Sequence, residues 1–133
     1  MDLPRFKLSA IRHVAAFLYA QLEARTWIQA RRRRIWEHYD TRLRDWAEAN
    51  DVRLPIVPAH CDQTYHMYYL IMPSSRVRQE LINRLKLRGI LSVFHYSLLH
   101  LSKMGQCLGA GNPDCPITED VSARLLRLPF FAF

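Results

Sequence analysis

Apolar positions along this chain fall into four stretches with two different periods. Ile11, Val14, Ala15, Leu18 and Leu22 recur at the i, i+3, i+4, i+7 and i+11 spacing of one helical face. Ala16, Phe17, Tyr19 and Ala20 make the opposite face apolar as well. No glycine or proline occurs between Ser9, a candidate N-cap, and Asn50, so helix is expected across residues 9–50. The second half of that run is amphipathic, with Ile28, Ile35, Tyr39 and Trp46 on one stripe and Trp36 and Leu43 flanking it. Four arginines, Arg31 to Arg34, interrupt it, and at 100° per residue Arg32 falls inside the stripe. Its long stem can lie on apolar surface while the guanidinium reaches water. A helix apolar on all sides must be covered on all sides, and so short a chain has little to cover it with.

Pro55 and Pro58 then force an extended connection. "TYHMYYLIM", residues 64–72, is short and rich in aromatic residues and reads as a strand. In residues 75–88, Val77, Leu81, Ile82, Leu85 and Leu87 supply a helical face; Ser75 serves as cap and Gly89 as the stop. "ILSVFHYSLL", residues 90–99, reads as a second strand, residues 105–116 as a loop, and "TEDVSARLLRL" as a short helix closed by Pro129. Two strands flanking a helix suggest a βαβ-like unit, and two strands alone make a marginal sheet, so more pairing is needed. The expected class is α+β (α/β), with long N-terminal helices packed on a small sheet.

The chain has 133 residues, a size that fits one domain. Half its residues are hydrophobic, none in a run of the roughly 20 that spans a bilayer, and the N-terminus has no signal-peptide pattern. A cytoplasmic protein with no membrane contact is expected. Three cysteines leave no closed disulfide framework. The net charge of +7 favours anionic partners. Nucleic acid binding through Arg31 to Arg34 is the weakest use of that charge; a plain solvated helix face explains the run as well.

Candidate chemistry concentrates near the strands. His95, His100, Cys107 and Cys115 are zinc-type ligands, but their spacing matches none of the compact ligand pairs apart from His95 and His100 themselves, so no metal site is expected. Cys61 beside His60 has no catalytic signature, and "GAGNPD" has its glycines in the wrong frame for a phosphate cradle. What remains is His66, Tyr68, His95, Tyr96 and His100. Imidazole and phenol groups at strand ends can donate to hydroxyl or phosphate oxygens, or relay a proton.

"AAFLYAQLEAR", "YHMYYL", "GILSVFHYSLLH" and "TEDVSARLLRLPFF" stand in the order of the C-terminal part of DegT/StrS-type sugar-nucleotide aminotransferases, which the chain resembles from about Ala15 to Phe131. The similarity is strongest to the branch that aminates dTDP-4-keto-6-deoxyglucose, giving sugars such as dTDP-4-amino-4,6-dideoxygalactose. It implies the small C-terminal domain of an aspartate-aminotransferase-like, fold type I enzyme over residues 1–133, with the large pyridoxal-phosphate-binding domain absent and the chain clipped at both ends. It implies glutamate as amino donor, a sugar-nucleotide substrate, a role in surface polysaccharide (lipopolysaccharide) synthesis, and pyridoxal phosphate in the full-length enzyme but none on this fragment. By carry-over, His95, Tyr96 and His100 border the substrate pocket, and His66 matches a structural strand histidine. Lys7, Lys86 and Lys103 lack the context of the family's Schiff-base lysine, so no catalytic or cofactor-binding residue is expected and the fragment alone should be inactive. Leu98 replaces the proline usual in the family's "HYxPLH". In the family the N-terminal helix packs near a dimer interface, so a homo-oligomer through that helix is expected. The alternative is an oligomerisation or anion-binding module with a basic helix and no catalysis.

Overall fold

The computed structural model describes residues 5–96, 98–108 and 115–131. Its first elements are two helices, α1 (Arg5–Glu23) and α2 (Arg25–Ala49). They follow β-strand-free sequence almost as one rod, because Ala24 N–H still bonds Ala20 O and Ile28 N–H bonds Ala24 O, at 3.1 and 3.0 Å. The helix begins at Arg5, so Ser9 sits inside it and is not its cap. The described side chains of α1 are uncovered: Val14, Phe17, Leu18, Tyr19 and Leu22 are 52% to 70% exposed. Of the arginine run only Arg32, the member inside the apolar stripe, is half-buried.

Among the described side chains, the rod acquires a core only along α2. Trp36, Tyr39, Leu43 and the buried Ala47 pack with Tyr68, Leu70, Met72, Val52 and Leu126. Tyr39 donates to Pro129 O at 2.9 Å, and Tyr68 donates to Asp40 at 3.3 Å, so both phenols are satisfied where they are buried. Burial and the Asp40 carboxylate push the Tyr68 phenol well above its usual pKa. The rod ends in a Schellman turn: Val52 N–H bonds Ala47 O at 2.9 Å, with Asp51 at φ 53 where glycine is usual.

The sheet differs from the expected strands. β1 is Tyr69–Ile71 and β2 is Leu125–Arg127, paired antiparallel with Leu70 opposite Leu126. Residues 64–68 precede the strand instead of forming it, and residues 90–99 contribute a single bridge, Val93 to Arg127. Arg53 bridges Ile71 on the other side. All these pairings are antiparallel, so β2 sits between β1 and Val93, which run in the same direction. The βαβ-like unit is thus split by an inserted strand, and that strand supplies the pairing which two strands lacked. Residues 125–127, read from sequence as the end of a helix, leave the helix because their backbone groups find β1 and Val93 as partners.

Between β1 and Val93 runs α3 (Ser75–Leu87). Its cap is Ser74, whose Oγ accepts Val77 N–H at 3.3 Å, one residue before the expected Ser75. Gly89, at φ 74, closes it in a second Schellman turn with Gly89 N–H on Lys86 O and Ile90 N–H on Leu85 O. Val77, Leu81, Ile82 and Leu85 pack on the core from this helix. α4 (Lys103–Cys107) occupies part of the expected loop, whose residues 109–114 lie outside the described ones. α5 (Pro116–Arg124) starts on a proline in its first turn, earlier than Thr118.

Candidate functional site

The segment after Val93 cannot stay in the sheet, because it turns back on itself. Leu101 N–H bonds Leu98 O at 3.2 Å and Ser102 N–H bonds Leu99 O at 3.1 Å. Two consecutive tight turns therefore produce the bend without a proline at Leu98. Ser102 holds it from below: its Oγ donates to Leu99 O at 2.7 Å and accepts Gly105 N–H at 3.0 Å, capping α4. A Cβ on Gly105 would collide with the Leu99 carbonyl oxygen, so only glycine lets α4 approach the turn. Sequence reading placed Gly105 in a loop; its only signal was one glycine among "KMGQC".

The bend delivers His100 to α5. His100 Nε2 lies 3.0 Å from Glu119 Oε1, with the imidazole only 13% exposed. Between the bend and α5 opens a cleft of about 520 Å³. His95, Tyr96, Leu98, Leu99 and His100 line it from the bend, and Ile117, Thr118, Val121 and Ser122 of α5 with Leu125 of β2 line it from the other elements. The three residues expected at a substrate pocket, His95, Tyr96 and His100, thus line one cleft. His66 does not join the lining: it is exposed ahead of β1, with Nδ1 3.0 Å from Thr64 Oγ1.

The walls are mainly apolar, with Tyr96 and His100 as polar groups on one side and Thr118 and Ser122 on the other. The His95 ring is stacked obliquely on Tyr96, centroids 4.4 Å apart. Its Nδ1 is buried without a hydrogen-bond partner. Burial depresses the His95 pKa first, and the nearby Arg127 and His66 depress it further. His95 therefore resists protonation, and in its neutral form the buried Nδ1 favours the Nε2–H tautomer, since an orphaned N–H is costlier than an orphaned lone pair. Tyr96 is 70% exposed and presents its phenol to solvent.

Among the described residues no group of three His, Cys, Asp or Glu side chains could hold a metal ion. No lysine lines the cleft either; Lys86 and Lys103 lie exposed on α3 and α4. A pyridoxal-phosphate aldehyde needs a lysine amine beside it, so the cleft residues of this chain do not fit that cofactor and no chemical step is routed through it. Nor is any helix among the described residues long and apolar enough to cross a membrane.

The sequence profile of the DegT/DnrJ/EryC1/StrS aminotransferase family matches residues 5–132. Among solved structures, the chain is similar to an aminotransferase, TlmJ, from Streptoalloteichus hindustanus, at 29% identity and TM-score 0.68 over 84% of this chain and 29% of that one. A DegT DnrJ EryC1 StrS aminotransferase from Brucella abortus aligns at 26% identity and TM-score 0.65, over 86% and 28% of the two chains. PseC of Helicobacter pylori, an aminotransferase involved in the biosynthesis of pseudoaminic acid, shares the fold at TM-score 0.68 and 24% identity, over 84% and 29%. The chain therefore spans less than a third of the length of these relatives.

Proposed function

Since the chain belongs to the DegT/DnrJ/EryC1/StrS aminotransferase family, we propose that it is the small C-terminal domain of a sugar-nucleotide aminotransferase and supplies one wall of the substrate cleft. The observation that carries this is the convergence of His95, Tyr96 and His100 on one cleft, with His100 braced by Glu119. Phenol and imidazole groups in a mainly apolar lining suit a sugar nucleotide: the apolar side chains pack on the ring faces and the polar groups reach hydroxyl or phosphate oxygens. The complete enzyme would act in the cytoplasm, moving an amino group from glutamate to a dTDP-4-keto-6-deoxyhexose in surface polysaccharide synthesis. The four sequence blocks support that substrate branch. Pyridoxal phosphate and its lysine would come from the large domain, so this chain alone has no transaminase activity.

The test is a chimera in which residues 5–132 replace the matching small domain of a characterised sugar aminotransferase. Amino transfer should survive, and His95→Ala or His100→Ala should raise the KM for the sugar nucleotide at least tenfold with bound cofactor unchanged. An active chimera indifferent to both cleft substitutions would end the cleft assignment. The isolated chain, given pyridoxal phosphate and both substrates, should form no amino sugar; product formation lost on replacing one particular lysine would contradict the fragment reading. The uncovered α1 favours a second role for the same domain, a dimer contact through that helix, which sedimentation over a range of concentrations tests directly.

A further inference from the structure

The contact between His100 and Glu119 fixes more than the position of a ring. The imidazole is 13% exposed and the Glu119 side chain 43% exposed, and Nε2 stands 3.0 Å from Oε1. A carboxylate accepts hydrogen bonds and donates none. The proton of a neutral His100 therefore sits on Nε2, and Nδ1 keeps its lone pair. That nitrogen makes no hydrogen bond among the described residues, and it is not one of the buried atoms left without a partner, as the Nδ1 of His95 is. It opens instead toward the cleft that His100 lines. In their neutral forms the two imidazoles of one bend thus end with opposite outward groups. His95 keeps a lone pair buried and has an N–H left over. His100 commits its N–H to Glu119 and has a lone pair left over. Glu119 is itself placed by the chain. It falls in the first turn of α5, after Pro116, with its N–H on Cys115 O at 3.0 Å, and a helix N-terminus favours negative charge.

We infer that Glu119 is a positioning residue that sets the tautomer of His100, so that Nδ1 accepts a hydrogen bond from a hydroxyl of the sugar nucleotide. This rests on the substrate-wall reading and deepens it. At this point of the cleft a ligand must bring an O–H or N–H donor; a carbonyl, ether or phosphate oxygen in the same place sets lone pair against lone pair. Leu98, Leu99 and Val121 line the same cleft, and apolar surroundings raise the cost of such a mismatch. A purely structural Glu119 would satisfy the imidazole N–H and leave ligand choice untouched.

The test has two parts. In the full 133-residue chain, long-range nitrogen–proton nuclear magnetic resonance reads each imidazole nitrogen directly. At about pH 8.5, roughly two units above the ordinary histidine pKa, His100 should show a protonated Nε2 and a bare Nδ1. Glu119→Ala should average the two nitrogens, whereas Glu119→Gln, whose amide oxygen still accepts, should keep the wild-type pattern. In the active chimera, Glu119→Ala should raise the KM for the host enzyme's sugar nucleotide roughly three- to tenfold, the size of one ordinary hydrogen bond. The kcat should stay within about twofold, and Glu119→Gln should restore most of the KM. Should Glu119→Ala unfold, Glu119→Lys puts a donor-only group in the same place and should move the proton to Nδ1. A bare Nε2 in the wild type, or nitrogen signals unmoved in Glu119→Ala, would overturn the inference. An active chimera whose KM responds to His100→Ala but not to Glu119→Ala would remove it and leave the cleft reading standing. A chimera without activity would sink the amino-transfer reading and the hydroxyl with it, while the nitrogen pattern would still decide the tautomer.

Discussion

Replacing Phe17 by serine should barely affect the stability of this chain, although Phe17 belongs to the most apolar helix it has. A fully buried phenylalanine contributes roughly 1.5–3 kcal/mol. Phe17 is 70% exposed, so about a third of that, at most ~1 kcal/mol, is at stake. Serine and phenylalanine have nearly equal helix propensities, so the backbone term cancels. Leu126, 0% exposed at the centre of the sheet, is the contrast. Leu126→Ala should cost about 2–5 kcal/mol through lost transfer energy and the cavity left behind, a large share of the roughly 5–15 kcal/mol typical of a domain. Urea unfolding followed by circular dichroism, at several protein concentrations, separates the two. A loss of 2 kcal/mol or more for Phe17→Ser in a monomeric sample would refute the reasoning, since it would require this chain to enclose its own α1. A wild-type stability that rises with concentration, but not in Phe17→Ser, would assign the missing cover to a second copy.

Four other outcomes follow from local geometry. Gly89→Ala should destabilise by about 1 kcal/mol although nothing crowds the position, because φ 74 is left-handed; Asp51→Gly at φ 53 should stabilise by a similar or smaller amount, both readable by denaturant midpoints. Tyr68→Phe should cost about 0.5–1.5 kcal/mol, towards the lower end because the bond to Asp40 is long at 3.3 Å and Asp40 keeps Arg44 as partner. The depressed pKa of His95 means that the unfolded chain binds a proton the folded chain resists, so stability should fall as pH drops below about 6.5 and through the lower folded pKa. His95→Gln should flatten that part of a stability–pH profile; an unchanged slope would show that other groups carry it.

Much of this architecture was legible because its signals are local. The α2 stripe of Tyr39 and Leu43, the half-buried Arg32, the face of α3 and the stop at Gly89 all follow from helical period and backbone preference. The misreadings share a cause. "LLRL" continues a helical pattern, and no glycine or proline marks the change at Leu125; only pairing with residues more than thirty positions away makes it a strand. Residues 90–99 look like a strand, yet their turns at Leu98 and Leu99 are held by Ser102 and Gly105, which lie beyond the stretch itself. For the same reason the cleft residues His95, Tyr96 and His100 could be named from sequence, whereas Glu119 as the brace and Arg127 as their neighbour needed coordinates.

The single interrupted residue in the rod has a mechanical consequence. Ala24 has φ −82 and ψ 1, so the helix passes through it with its ladder nearly whole but its direction set by one soft pair of torsions. The nineteen residues of α1 form an arm about 28 Å long at 1.5 Å per residue. A tilt of roughly 10° at Ala24 would sweep the far end by about 5 Å on that lever arm. The anchored half of the rod cannot set where the tip points; that bearing belongs to whatever body the arm rests against.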